Sequence, residues 1–189
     1  MLTKTTCIIQ TDVECQDTID SILKFIPIEN ILIYDDASSE HITNSDFRSE
    51  VFSGNYQDAF KELLPLVKTE FVVRVNGGDI VHKLVQPKKA GSIWLSKLSG
   101  CPDHEMDASR YPHAGTSIIT GSVIPKAVYE QLMAEYPADA TYKFGAYCGE
   151  QILTGNLMPF EFIKRSETIS MDFKSMLRNH NARLKHGNY

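Results

Sequence analysis

Two hydrophobic segments of the sequence each end in a cluster of acidic, amide and glycine residues. Residues 31–34 are followed at once by Asp35 and Asp36, and residues 71–75 are followed by the polar tetrad 76–79. A β-branched run that ends abruptly in polar residues is typical of a buried parallel strand that carries polar groups to the carboxyl edge of a sheet. Ligands bind at that edge in open α/β sheets. The two segments therefore predict one site, and the expected ligand is a nucleotide-linked substrate held with or without a metal.

The chemistry available at the first segment is that of a carboxylate. Asp35 or Asp36 can accept hydrogen bonds from the N3–H of a uracil or from ribose hydroxyls, and partial exclusion of water strengthens such bonds. The alternative is structural, because Asp-Asp-Ala-Ser is also a sequence that begins a turn or caps a helix. The strand–helix context of the segment favours the binding role.

The second segment, Asn76-Gly77-Gly78-Asp79, combines two glycines with one acid. Glycines let the backbone approach a ligand closely or adopt positive φ. Asp79 offers oxygens to a divalent cation, which would in turn neutralise a diphosphate. The alternative is a tight turn after a buried strand. The segment has no Gly-Lys-Ser/Thr of a Walker A loop and does not fit GxGxxG, which argues against the nucleotide folds that use those motifs.

Strand and helix patterns alternate around these polar ends. Strands are predicted at residues 5–10, 30–34 and 71–75, and residues 37–55 are polar and predicted as a loop. Asp17 is a candidate helix cap and Pro27 a helix stop. Helically spaced apolar residues form three stripes: Ile19, Ile22, Leu23 and Ile26; Tyr56, Phe60, Leu63, Leu64 and Val67; Tyr129, Leu132, Met133 and Tyr136. The β-α-β-α-β order predicts a parallel sheet with right-handed crossovers.

The second half of the chain is less regular. Strands are predicted at residues 91–95 and 116–120, with a long loop between them at 99–115. Pro125 fits the first turn of the third helix, and a short helix is predicted at 149–157. Trp94 lies in an apolar run and is expected in the core.

Composition limits the class of protein. The chain has 189 residues, of which 42% are hydrophobic, so a single domain with a sizeable core is expected. No apolar run approaches the roughly 18 residues that span a bilayer, and the N-terminus does not resemble a signal peptide. The four cysteines form neither a CxxC pair nor a zinc spacing, which favours reduced thiols in a cytoplasmic protein.

Charge is distributed unevenly. The net charge is −5, yet the segment from about residue 159 to the end carries six basic residues against three acids. This basic tail is interpreted either as a solvated terminus or as a cationic flap over phosphates or an anionic acceptor.

The order and spacing of these motifs resemble the family 2 glycosyltransferases, which have the GT-A fold. The resemblance covers roughly residues 5–157. It is carried by five short segments: Tyr34-Asp35-Asp36-Ala37-Ser38, similar to V-D-D-G-S; Ser53-Gly54-Asn55-Tyr56, similar to N-x-G; residues 71–80, similar to the metal-binding DxD region; residues 120–126, similar to the acceptor-side strand–helix step; and Gly149-Glu150-Gln151, similar to G-E-D.

The resemblance implies a GT-A-like α/β/α sandwich with a mostly parallel central sheet, formed by one domain over residues 1–189 with the basic tail at its end. It implies transfer of a sugar from a nucleoside diphosphate, expected to be UDP, to an acceptor hydroxyl on a glycan. The implied site residues are these: Thr11, Asp35 and Asp36 for base and ribose; Asn76, Gly77, Gly78 and Asp79 for the diphosphate; Asp79, His180 and His186 for Mn²⁺ or Mg²⁺; and Glu150 as the catalytic base.

The chain departs from the family pattern at two motifs. The DxD is replaced by Asn76-Gly77-Gly78, which leaves Asp79 as the acid of that segment, and the Glu-Asp pair becomes Glu150-Gln151. These departures keep two alternatives open. One is a phage-type transferase that glycosylates a hydroxymethylated or already modified DNA base, with the basic tail contacting nucleic acid. The other is a nucleotide-sugar-binding module that has lost catalysis.

Overall fold

The computed structural model describes residues 1–11, 15–35, 49–51, 56–88, 92–98, 121–136, 151 and 161–171. The strands are β1 Thr5–Thr11, β2 Ile31–Asp35, β3 Ser49–Val51, β4 Phe71–Asn76, β5 Asp79–Val81, β6 Ser92–Leu98, β7 Val123–Pro125 and β8 Glu161–Met171. The helices are α1 Gln16–Ile22, α2 Tyr56–Leu63 and α3 Lys126–Glu135, with short 3-10 turns at Ile28–Asn30 and Leu64–Leu66.

The strands form one eight-stranded sheet in the order β3-β2-β1-β4-β7-β6-β8-β5. The first four strands in this order are parallel. β7 then runs antiparallel to both β4 and β6, β8 is parallel to β6, and β5 pairs antiparallel with β8. The predicted fold class, an α/β fold with a mostly parallel central sheet, is confirmed.

Successive side chains of the buried strands point to opposite faces of the sheet, so a hydrophobic core forms on each face. On one face Ile8, Leu32 and Val72 pack with α2 and α3, where the rings of Phe60 and Tyr129 meet with centroids 5.0 Å apart. On the other face the alternate residues of the same strands pack with α1. All six residues of β4 are buried, as expected for a central strand covered on both sides. The sheet therefore lies between two helical layers.

The three apolar stripes lie where the helices form, with differences at the ends. Cys15, not Asp17, is the N-cap of α1, and Asp17 lies in the first turn, so the predicted cap is wrong. The helix ends at Ile22, and the Ile26 amide continues the turn by bonding the Ile22 carbonyl at 3.0 Å. Pro125 is the last residue of β7 and the N-cap of α3, one position before the predicted first turn. Trp94 is 2% exposed, which confirms its place in the core.

The strand predicted at 91–95 forms as β6, Ser92–Leu98. Four strands were not expected from the sequence. β3 lies in the segment predicted as a loop, β5 begins immediately after Gly78, β7 lies between the predicted strand at 116–120 and the third helix, and β8 lies within the segment interpreted as the basic tail. β8 pairs along β6 and contacts β5 at its far end, so residues 161–171 belong to the sheet. Of the predicted helix at 149–157 only Gln151 is described, and it is helical; the predicted strand at 116–120 and loop at 99–115 lie outside the described residues.

Candidate functional site

The carboxyl ends of three parallel strands meet at one edge of the sheet. β1 lies between β2 and β4, and the register places Thr11 beside Asp35 and Gln10 beside Asn76. The two polar segments that the sequence singled out are thus one strand apart. The structure places Thr11, Asp35 and Asn76 together at this edge, which we call the β1–β2–β4 edge.

The turn that follows β4 is tied to its neighbours by its own backbone amides. The Gly77 N–H donates to the Gln10 carbonyl at 2.6 Å, and the Gly78 N–H donates to the Thr18 hydroxyl of α1 at 2.8 Å. Gly78 has φ 89°, a conformation that favours glycine. These bonds hold the turn against β1 and α1, so the edge is built before any ligand arrives.

The buried side chain of Asp79 stabilises the same turn by a hydrogen bond to its backbone. The side chain is 0% exposed, and its Oδ2 accepts the Asn76 N–H at 3.2 Å. The tetrad 76–79 thus forms a tight turn after a buried strand, and its contact with a ligand stays a prediction.

Gly77 and Thr11 are in direct contact across the edge. A Cβ built on Gly77 would lie 2.7 Å from the Thr11 Cβ and closer still to the Thr11 hydroxyl. Thr11 itself is 2% exposed. The absence of a side chain at position 77 therefore lets the end of β1 and the turn after β4 pack at backbone distance.

Arg74 is a residue of this edge that the sequence reasoning missed. It is 4% exposed, and its Nη2 donates to the Gln10 Oε1 at 3.1 Å. Its carbonyl accepts the Gly121 N–H at 2.7 Å, which ties β4 to the turn before β7. The available signal was the charged residue in the otherwise apolar run Phe71-Val72-Val73-Arg74-Val75, since a buried charge in a central strand requires a partner.

The remaining predicted site residues are placed only in part. Asp35 is located by its backbone register at the end of β2. Asp36, Glu150, His180 and His186 lie outside the described residues. The roles assigned to all of these residues, and to Thr11, Asn76, Gly77, Gly78 and Asp79, stay predictions.

The described residues do not by themselves fit a metal ion. Among them, no three His, Cys, Asp or Glu side chains lie close enough together to hold a cation. Asp79 offers one fully buried carboxylate, one oxygen of which accepts a backbone amide, whereas Mg²⁺ and Mn²⁺ prefer several oxygens.

The Cys7 thiol is not in the reactive, charged form that catalysis requires. Cys7 and Cys15 are both buried. Burial raises the pKa of the Cys7 thiol well above its ordinary value, because the charged thiolate is poorly solvated there. Since the thiolate is the reactive form, Cys7 is a core residue.

Asp79 provides a test that separates a turn role from a metal role. Replacing Asp79 by Ala leaves the buried Asn76 amide without its acceptor, and we expect a loss of about 1–3 kcal/mol in the free energy of unfolding. Asp79→Asn keeps an oxygen acceptor and should lose less. Urea denaturation of both variants measures the difference. Equal losses for Asn and Ala, together with a loss of cation-dependent nucleotide binding in both, would instead indicate a metal ligand.

A cavity of about 310 Å³ lies at the opposite edge of the sheet, near the amino ends of β1 and β2. Its lining includes Thr6, Asn30, Leu66 and Lys68. It contains none of the residues predicted for binding, and it provides a second place where a ligand could be sought.

Within the described residues, no helix is both long enough and apolar enough to cross a bilayer.

Comparison with known proteins shows likeness in structure. No family model matches the chain, and no curated protein matches its sequence. The chain is similar to S. aureus TarS 1–349 solved with UDP, at 13% identity and a TM-score of 0.61, over 89% of this chain and 60% of that one. The same TarS fragment with UDP-GlcNAc gives 14% identity and a TM-score of 0.55, over 89% of this chain and 58% of that one.

A second kind of structure is also similar. A Bacillus anthracis protein assigned as a glucose-1-phosphate thymidylyltransferase, solved with sucrose, has 12% identity and a TM-score of 0.55 over 95% of each chain. This chain thus spans about 60% of the length of the TarS fragment and nearly all of the thymidylyltransferase. At these identities the likeness shows the fold: the chain has a GT-A-like α/β fold of the kind found in both proteins.

Proposed function

We propose that the protein binds a nucleoside-diphosphate sugar at the β1–β2–β4 edge and transfers the sugar to an acceptor hydroxyl. The observation that carries this proposal is the meeting of Thr11, Asp35 and Asn76 at the carboxyl ends of adjacent parallel strands. Ligands bind at this edge in open α/β sheets. The likeness to TarS, solved with UDP and with UDP-GlcNAc, supports UDP as the nucleotide.

The proposed roles follow the positions of the residues. Thr11, Asp35 and Asp36 contact the base and ribose, as the ends of β1 and β2 are adjacent. The turn 76–79 lies beside the diphosphate and is already fixed in position, because the Gly77 and Gly78 amides donate within the protein. A turn that is already ordered can orient the nucleotide sugar without losing conformational freedom on binding, which lowers the entropic cost of association.

Glu150 is proposed as the base of the transfer. The acceptor oxygen attacks the anomeric carbon, the bond from that carbon to the diphosphate breaks, UDP leaves, and the acceptor proton passes to Glu150. A glycan hydroxyl is the proposed acceptor. A modified DNA base is the second acceptor class, and the basic residues beyond position 171 would then contact nucleic acid.

Nucleotidyl transfer is a second candidate function, favoured by the likeness to the thymidylyltransferase over 95% of both chains. The two reactions differ in their products. Glycosyl transfer releases a nucleoside diphosphate from a UDP- or GDP-sugar, or CMP from a CMP-sugar, whereas nucleotidyl transfer moves a nucleoside monophosphate from a triphosphate to a sugar phosphate and releases pyrophosphate. Assaying these products with UDP-, GDP- and CMP-sugars, and with the four nucleoside triphosphates together with a sugar phosphate, decides between them. The binding module without catalysis would bind nucleotide and release neither product.

UDP is expected to stabilise the protein against heat. A ligand present at about 100 times its dissociation constant adds about 2.7 kcal/mol to the free energy of unfolding. Asp36→Ala should reduce this effect while leaving the fold intact, because it removes the proposed contact with base or ribose. Glu29→Ala is the matched control, since Glu29 is an exposed acid near the opposite edge of the sheet. Differential scanning fluorimetry measures all three proteins, and the absence of any shift with nucleoside diphosphates at millimolar concentration would contradict the proposal.

Mn²⁺ or Mg²⁺ is expected to bind only together with the nucleotide. The diphosphate then supplies oxygens that the described residues do not. Calorimetric titration of Mn²⁺ into the free protein should give no measurable heat of binding. Tight binding of the cation without nucleotide would show that residues outside the described part of the chain, such as His180 and His186, complete a site.

A further inference from the structure

The side-chain amide of Gln10 is fixed in one orientation by Arg74. The guanidinium group of arginine has donors and no acceptor, so the oxygen of the amide must face it. This agrees with the 3.1 Å bond from Arg74 Nη2 to Gln10 Oε1. The amide nitrogen of Gln10, with two donor hydrogens, is consequently on the side away from Arg74.

The position of Gln10 places that donor at the β1–β2–β4 edge. Gln10 is the residue before Thr11, and the register sets it between Tyr34 of β2 and Asn76 of β4. Its side chain is half-buried, and among the described residues no hydrogen-bond acceptor is found for Nε2. A donor that is held in place and left accessible at a ligand-binding edge is suited to contact an acceptor on the ligand.

A purely structural role accounts for only part of this arrangement. Partnering Arg74 needs the oxygen of residue 10 and makes no use of the nitrogen. A glutamate of the same length would partner a buried guanidinium more strongly, because an ion pair adds charge to the hydrogen bond. Glutamine instead supplies the acceptor without adding negative charge, and it keeps two donors for another group. Donation from Arg74 to Oε1 also polarises the amide, which strengthens Nε2 as a donor.

We infer that Gln10 determines specificity by donating from Nε2 to a phosphate oxygen of the nucleoside diphosphate, and that Arg74 is the positioning residue that fixes the amide. The inference rests on the proposed function. A phosphate is favoured over a base carbonyl because the Arg74 bond polarises the Gln10 amide, and a polarised donor gains most from an acceptor that carries negative charge.

Calorimetric titrations of UDP and uridine into wild type and Gln10→Glu test the inference. The glutamate can pair with Arg74, so the melting temperature should not fall, while both donors are lost and a negative charge is added. UDP affinity should fall on the order of 10- to 100-fold, as for a lost hydrogen bond to a charged group, and uridine affinity should change less than about threefold. Gln86→Glu is the matched control: Gln86 accepts from Thr5 at the opposite end of β1 and its substitution should leave UDP affinity unchanged.

A measurement on the wild-type protein tests the same inference without any substitution. The side-chain amide signals of Gln10 in ¹H–¹⁵N spectra should shift on addition of UDP and remain in place with uridine. Equal loss of UDP and uridine affinity in Gln10→Glu, or unchanged UDP affinity, would overturn the inference. Wild type that binds no nucleotide would overturn the proposed function along with it, whereas wild type that binds UDP as tightly as the variant overturns the role of Gln10 alone.

Discussion

Replacing Glu150 by Gln is expected to reduce sugar transfer by about 10²- to 10⁴-fold, the usual contribution of a general base. The substitution keeps the size and polarity of the side chain and removes its basicity. Nucleotide affinity should change little, because the base acts on the acceptor and not on UDP. The measurement is the rate of UDP release from the UDP-sugar that the product assay shows to be a substrate.

Glu62→Gln is the matched control, because Glu62 is an exposed acid of α2 in the layer that covers one face of the sheet. It should retain wild-type turnover. If Glu150→Gln also turns over at the wild-type rate, Glu150 is not the base, and either another residue or a mechanism without a base at this position must account for the reaction.

Placing a side chain at Gly77 is expected to destabilise the whole β1–β2–β4 edge. A Cβ there would lie 2.7 Å from the Thr11 Cβ, well inside van der Waals contact, and 3.3 Å from the Thr11 Cα. Overpacking of this kind costs about 1–3 kcal/mol for a small addition, so Gly77→Ala should fall in that range and Gly77→Val should lose at least about 3 kcal/mol. Urea denaturation gives the free energies of unfolding.

A double-mutant cycle with Thr11→Gly shows whether the contact with Thr11 is the cause. Removing the Thr11 side chain opens the space that a residue at position 77 needs, so the cost of Gly77→Ala should shrink in the Thr11→Gly background. Additive losses would mean that the strain at position 77 arises elsewhere, for example from the backbone of the turn. The same variants report on function, since an edge forced apart should also lose UDP affinity.

The part of the fold that was predictable is the part made of β1, β2 and β4. Their β-branched runs are long enough to be recognised, and the intervening helical stripes imply parallel pairing. Parallel pairing in turn brings the strand ends together, which is why Thr11, Asp35 and Asn76 could be predicted to share an edge.

Of the other strands, β6 was predicted at 91–95, and the rest were not predictable for physical reasons that differ by strand. β3, β5 and β7 have three residues each, too few to show an alternating pattern. β8 carries Lys164, Arg165 and Glu167 among its residues, so its composition is closer to that of a solvated segment than of a strand. Its place in the sheet depends on pairing with β6 and β5, which are distant in sequence.

The contacts within the candidate site also depend on residues that are distant in sequence. The sequence could point to the tetrad 76–79 but could not show that it folds into a tight turn. Burial of Asp79 and its bond to the Asn76 amide became visible only once the turn was folded. The Arg74–Gln10 pair joins residues 64 positions apart, and neither residue type alone indicates the other.

The most direct test of a nucleoside-diphosphate site at the β1–β2–β4 edge is to map UDP binding by backbone amide chemical shifts. On titration with UDP, we expect the largest ¹H–¹⁵N shifts at Thr11, Asp35, Gly77 and Gly78, which lie at the ends of the three strands. The amides around the cavity at the opposite edge, such as Asn30 and Lys68, should stay in place. Shifts concentrated around that cavity, or no shifts at millimolar UDP, would contradict the account.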